Sequence, residues 1–118
     1  MVTSRIDGST TVLEVHGRLT AQGTGAAMRH ATKAAMDSGS QTVVINLQDV
    51  VAVDSSGLSD LASCHTTLAG RGCHLKLCHL SQKLKDVFVI TRLDTVFDIY
   101  ETEADAMAGS SSVEKHPI

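Results

Sequence analysis

A carboxylate followed by two hydroxyls, Asp54-Ser55-Ser56, is the group in this sequence best placed to do chemistry. Strand-forming residues at positions 42–47 lead toward it, and a helix-like pattern leaves it. The three residues therefore fall where a strand gives way to a helix N-terminus. Such a terminus carries unpaired backbone N–H groups and a partial positive charge, so it tolerates an added anion. A serine hydroxyl there suits reversible phosphorylation. Helix capping alone also places Asp and Ser at such a position. Two hydroxyls and a carboxylate are more than one cap needs.

Other reactive side chains support weaker readings. Ser55 as a nucleophile lacks a Gly-x-Ser-x-Gly elbow, and no spacing nominates His16, His30, His65, His74 or His79 as its base. Gly23-Thr24-Gly25 follows a strand, but Met28 stands where a dinucleotide loop needs its third glycine, so a loose helix entry is the better account. Cys73, His74, Cys78 and His79 cluster in sequence. On a strand, residues 73 and 79 share one face and 74 and 78 the other, which splits any tetrahedral ligand set. No metal site and no cofactor are expected. Nothing in the spacing of Asp49, Asp54, Asp60 and Asp94 forces two carboxylates together.

The elements that must hold the site follow from hydrophobic periodicity. Leu13, Val15, Gly17 and Leu19 alternate with Glu14, His16 and Arg18, a period-two pattern for a strand with one buried face. Residues 2–6 are expected to pair with it across Asp7-Gly8-Ser9. Residues 21–38 read as a helix with Ala27, Ala31, Ala34 and Ala35 at helical spacing, which would let it approach a sheet closely, and Gly39 as its stop. Residues 42–47 are apolar almost throughout, as in a central strand covered on both faces, and Val50, Val51 and Val53 are expected to continue inward.

From Ser55 to Gly70 the period becomes helical, with Leu58, Leu61, Ala62, His65, Leu68 and Ala69 on one face. A strand over 73–80, a helix capped by Ser81, a short strand near 96–100 and a helix near 103–109 complete the order. Strand–helix alternation of this kind calls for an α/β fold. Its sheet of four to five strands is expected to be mostly parallel, with one antiparallel edge strand and about four helices. Residues 1–109 are expected to form a single domain, with a flexible tail over 110–118 that holds the only proline.

Composition narrows the function classes. Of the 118 residues, 42% are hydrophobic and 19% charged, which is globular. Aromatic residues are only 3%, so the core must be aliphatic, and a base-stacking surface is disfavoured. A net charge of −3 without a basic cluster argues against a nucleic-acid partner. No apolar run is long enough to span a bilayer, and the N-terminus lacks a signal peptide's apolar core, so a soluble, cytoplasmic protein is expected. Cys64, Cys73 and Cys78 read as small core-filling side chains.

Taken together, Asn46-Leu47-Gln48-Asp49-Val50 and Val53-Asp54-Ser55-Ser56-Gly57-Leu58 resemble the central motif of the STAS domain. More narrowly, they resemble bacterial anti-sigma factor antagonists. Gly17-Arg18-Leu19, Gly70-Arg71-Gly72, Leu80-Ser81, Val87-Phe88, Thr91-Arg92-Leu93 and Val96-Phe97 extend the likeness over residues 3–108. The chain departs at Thr20, where many relatives have Asp, at Arg92, often Gly, and at Ser59, commonly Gly, which marks a divergent member.

The resemblance implies a non-enzymatic switch. The unphosphorylated antagonist binds an anti-sigma factor that is also a serine kinase of histidine-kinase-like ATPase fold, and so frees a sigma factor. The kinase phosphorylates the first motif serine, here Ser55, and a phosphatase resets it. Asp54, Ser55, Ser56, Gly57, Ser59 and Asp60 would form the partner surface, with Thr20 on its rim. The alternative is a STAS interaction module of a transporter or signalling scaffold, in which Ser55 is only a cap.

Overall fold

The computed structural model describes residues 1–20 and 22–108, so the tail expected over 110–118 lies outside the described residues. The elements run β1 (Val2–Asp7), β2 (Thr10–Leu19), α1 (Gly25–Asp37), β3 (Thr42–Val53), α2 (Ser55–Gly70), β4 (His74–Cys78), α3 (Gln82–Ile90), a 3-10 turn (Leu93–Thr95), β5 (Asp98–Tyr100) and α4 (Glu103–Ala108). The five strands form one sheet in sequence order. β1 pairs antiparallel with β2, and the other pairings are parallel. This is the α/β arrangement, with one antiparallel edge, that the alternation predicts.

Strand alternation sorts side chains onto two unequal faces. Leu13, Val15, Val43, Ile45, Leu47, Leu75 and Leu77 join Met28, Leu61, Leu68, Leu84 and Phe88 in the main core. Val12, Val44, Cys78 and Tyr100 face the other way and meet Ala106 of α4. The short helix α4 thus explains why residues 43–47 are buried throughout. Each fully buried aliphatic side chain contributes about 1.5–3 kcal/mol, so most of the stability rests on the main core.

α4 is tied down by a polar contact across the sheet. Glu103 accepts from the Asn46 amide at 2.7 Å and from the Arg5 guanidinium at 2.6 Å. The Asn46 hydrogen bond, together with the Arg5 cation, holds the Glu103 carboxyl below the usual range despite partial burial.

Three expectations are corrected. α1 begins at Gly25, and its buried face is Gly25, Met28, Thr32, Ala35 and Met36, while Ala27 and Ala34 are exposed. Alanine is a strong helix former at any position, so its spacing did not mark the inward face. On α2 the buried residues are Gly57, Leu61, Cys64 and Leu68, and Ala69 is exposed. Val51 does not continue inward: it is 72% exposed. The β2–β3 register shifts between Glu14 and His16 and again between Gly17 and Arg18, and such irregularities reset which face a residue takes.

Candidate functional site

β3 ends at Val53, and Asp54 turns the chain into α2. Asp54 is extended (φ −121°, ψ −174°), the N-cap geometry, and its Oδ1 accepts the Gly57 N–H at 2.9 Å. Its own N–H donates to the Leu19 carbonyl at 3.3 Å, which joins the start of α2 to the end of β2. The cap leaves Ser55 as the first residue of a 16-residue helix. Ser55 is exposed, and among the described residues its hydroxyl makes no hydrogen bond. Ser56 is half-buried and Ser59 exposed.

Gly57 plays a different part from the one a contact surface requires. It is buried, and a Cβ there would collide with the Leu19 carbonyl. Glycine lets the first turn of α2 sit directly on the end of β2. Thr20 follows Leu19 and is half-buried; its carbonyl accepts the Gly23 N–H at 3.0 Å in the turn leading to α1. Thr20 therefore borders the site through Leu19.

Asp60 is only half-exposed, and it is engaged. Its Oδ1 lies 2.8 Å from Arg29 Nε on α1, and its carboxylate packs over Gly25, where a Cβ would collide with it. α1 has no side-chain N-cap bond from Thr24 and no acidic residue in its first turn. Asp60 supplies a negative charge to that helix start from the neighbouring helix. The start of α1 is thereby tied to the second turn of α2. Sequence reasoning placed Asp60 on an open face, because no local spacing links it to Arg29.

The remaining reactive side chains stay apart. Cys64 and Cys78 are buried and Cys73 is half-buried. Burial pushes the Cys64 thiol up and the Cys78 thiol up to about 12. His16 Nδ1 sits 3.0 Å from Asp49 Oδ2, a pairing across β2 and β3 that the spacing did not foretell. Among the described residues, no three His, Cys, Asp or Glu side chains converge as metal ligands, and no helix is long and apolar enough to cross a membrane.

The family model of the STAS domain matches residues 1–106. No curated protein matches the sequence. Among solved structures, a putative anti-sigma factor antagonist from Thermotoga maritima superposes with a TM-score of 0.83 at 20% identity, covering 92% of each chain. The anti-sigma factor antagonist SpoIIAA is similar in its unphosphorylated form, with a TM-score of 0.71 at 18% identity over 92% of this chain and 96% of that one. SpoIIAA, a Bacillus cell fate determinant, is similar also in its phosphorylated form, at 0.70 and 19% over 92% and 97%. A sulfate transporter family protein from Wolinella succinogenes reaches 0.72 at 15% identity over 93% of this chain and 92% of its own. At these identities the likeness establishes the fold.

Proposed function

The chain belongs to the STAS domain family, and from that membership we propose that it is a cytoplasmic anti-sigma factor antagonist switched by phosphorylation of Ser55. The observation that carries this reading is the state of Ser55. It is an exposed hydroxyl at the first position of a long helix, without a hydrogen bond among the described residues, beside a carboxylate already used as the cap. A cap needs Asp54 alone, which leaves Ser55 for another purpose. The anti-sigma factor antagonists among the structural neighbours, one of them solved with and without phosphate, support the same assignment.

The unphosphorylated chain binds an anti-sigma factor that is itself a serine kinase, and so releases a sigma factor. The kinase transfers the γ-phosphoryl of ATP to Ser55 Oγ; the hydroxyl proton is lost and ADP leaves. The phosphate adds roughly −1.5 to −2 charges at neutral pH. Within the free domain the N-terminus of α2 offsets part of that charge. Asp54 lies next to it, so the phosphate concentrates negative charge on one small surface. A partner fitted to a neutral hydroxyl there meets like-charge repulsion and lost shape, an effect of several kcal/mol. Ser56 and Ser59 complete the contact face. Asp60, held by Arg29, fixes the helix rather than contacting the partner. A phosphatase returns the chain to its binding state.

Capture experiments with Ser55→Ala and Ser55→Glu baits from the source cells test the reading. Ala is expected to retain a serine-kinase anti-sigma factor and Glu to lose it. Equal capture by both baits would rule the switch out. The transporter-family neighbour favours one other reading, an interaction module in which Ser55 only starts a helix; transporter subunits held alike by both baits would establish it.

A further inference from the structure

β1 is an outer strand of the sheet. It pairs with β2 on one side, and among the described residues no strand pairs with the other. Residues 3–7 are all exposed, and Ile6, at 68%, is one of the large apolar side chains left in water. The ladder with β2 fixes which backbone groups face out. Met1 and His16 exchange both backbone bonds: the His16 N–H donates to the Met1 carbonyl at 2.8 Å, and the Met1 amine to the His16 carbonyl at 3.2 Å. Bonded and non-bonded pairs alternate along an antiparallel ladder. Thr3, Arg5 and Asp7 therefore turn their N–H and C=O groups toward β2, and Val2, Ser4 and Ile6 turn theirs outward. Such a row of groups accepts another strand.

Charge, proline or a bulge commonly guards an edge. β1 holds no proline and no lysine, and its register with β2 is unbroken. Its one cation, Arg5, lies back over its own sheet, with its guanidinium 2.6 Å from Glu103 and 3.8 Å from Glu14.

We propose that β1 joins two copies of this chain, paired antiparallel about a two-fold axis through Ser4, so that two five-stranded sheets become one. The strand's own pattern selects a second copy. Val2 comes opposite Ile6 of the second copy, and Ser4 opposite Ser4. All the outward groups then meet, giving roughly six backbone hydrogen bonds, two at each facing pair. The exposed Ile6 gains an apolar neighbour in Val2, which already packs against the main core. The charges are complementary as well. Thr3 stands opposite Glu14 and donates its hydroxyl to Glu14 Oε1 at 3.3 Å. In the two-fold pairing Thr3 also stands opposite Arg5 of the second copy. Each row across the junction thus sets a carboxylate of one copy and a guanidinium of the other on either side of a threonine. Asp7 falls opposite Met1.

Other registers fail. A shift by one residue sets outward groups against inward ones. A two-fold axis through Arg5 opposes two guanidinium groups, and one through Ile6 pairs only residues 5–7 of the strand. A surface confined to one short strand makes a weak dimer whose population depends on concentration. This assembly goes beyond the reading of Ser55 and does not rest on it.

Sedimentation equilibrium of the full chain under reducing conditions, from about 10 µM to about 1 mM, is expected to show a reversible monomer–dimer equilibrium. Ser4→Pro removes one outward N–H and no bond to β2, at a place where an edge strand tolerates proline. It should keep the native circular dichroism and weaken the dimer at least about tenfold. Ser4→Cys brings two thiols to the axis with Cα atoms about 5.5 Å apart, within the reach of a disulfide. Mild oxidation should give a covalent dimer much faster than in the wild type, whose half-buried Cys73 is the control. A chain that stays monomeric to about 1 mM overturns the proposal. So does a dimer undisturbed in a folded Ser4→Pro variant, or Ser4→Cys chains that cross-link no faster than the wild type. If Ser4→Pro does not fold, the cross-link and the wild-type equilibrium decide.

Discussion

Replacing Asp54 separates its work as a cap from its charge. Asp54 Oδ1 takes the Gly57 N–H at 2.9 Å, and Gly57 is buried on Leu19, so water cannot easily replace the lost acceptor. Asp54→Ala removes the acceptor and should destabilise by about 1 kcal/mol, within the 0.5–2 kcal/mol range for such caps. Unfolding entropy of about 2.1 cal/mol/K per residue gives roughly 0.25 kcal/mol per degree over 118 residues. The expected fall in Tm is therefore about 4 °C. Asp54→Asn keeps an equally good cap and should lie within about 1 °C of the wild type. Thermal unfolding followed by circular dichroism at one pH and salt concentration measures all three proteins. An Asn variant that melts as early as the Ala variant would show that charge, not the cap, stabilises α2. An Ala variant unchanged from wild type would show that the bond contributes nothing.

The other predictions test separate joints of the fold. Gly57→Ala pushes a methyl into the Leu19 carbonyl and should destabilise by about 1–3 kcal/mol, read from urea midpoints; a neutral result would mean that α2 does not rest on β2. Glu103 is held low when folded, so the unfolded chain takes its proton first. Its contribution is complete above the ordinary value near 4.5 and is lost as pH falls through the lower folded value. Urea midpoints against pH should therefore drop more steeply below about 4.5 for the wild type than for Glu103→Gln, and parallel curves would remove Glu103 from the account. Of the three thiols, Cys73 should react first with a soluble disulfide reagent. The buried Cys64 and Cys78 should react only as the chain opens, and fast titration of all three in the native state would contradict the packing.

What the sequence disclosed depends on the range of each interaction. The β1–β2 hairpin, the two faces of β2 and the caps at Asp54 and Ser81 are local, and residue types a few positions apart specify them. The start of α2 at Ser55 was legible for the same reason. The ion pair of Asp60 was not legible, because its partner, Arg29, comes from another helix, and only the packing of α1 against α2 brings them together. Val51 was misjudged because hydropathy does not reveal a register irregularity: Val51 is the β3 residue left out between the Gly17–Val50 and Arg18–Ala52 pairs. Gly57 reads in sequence as part of a motif; its physical reason, contact with the Leu19 carbonyl, needs the register of β2 on β3.

The central claim is that a phosphate on Ser55 ends partner binding. Its most direct test is the affinity of the isolated anti-sigma factor for the chain carrying phosphoserine at position 55, set against the unmodified chain at equal salt. The account predicts a loss of at least about a hundredfold, the equivalent of roughly 2.7 kcal/mol of like-charge repulsion and lost fit. Equal affinities for the two forms would contradict it and leave Ser55 as no more than the first residue of α2.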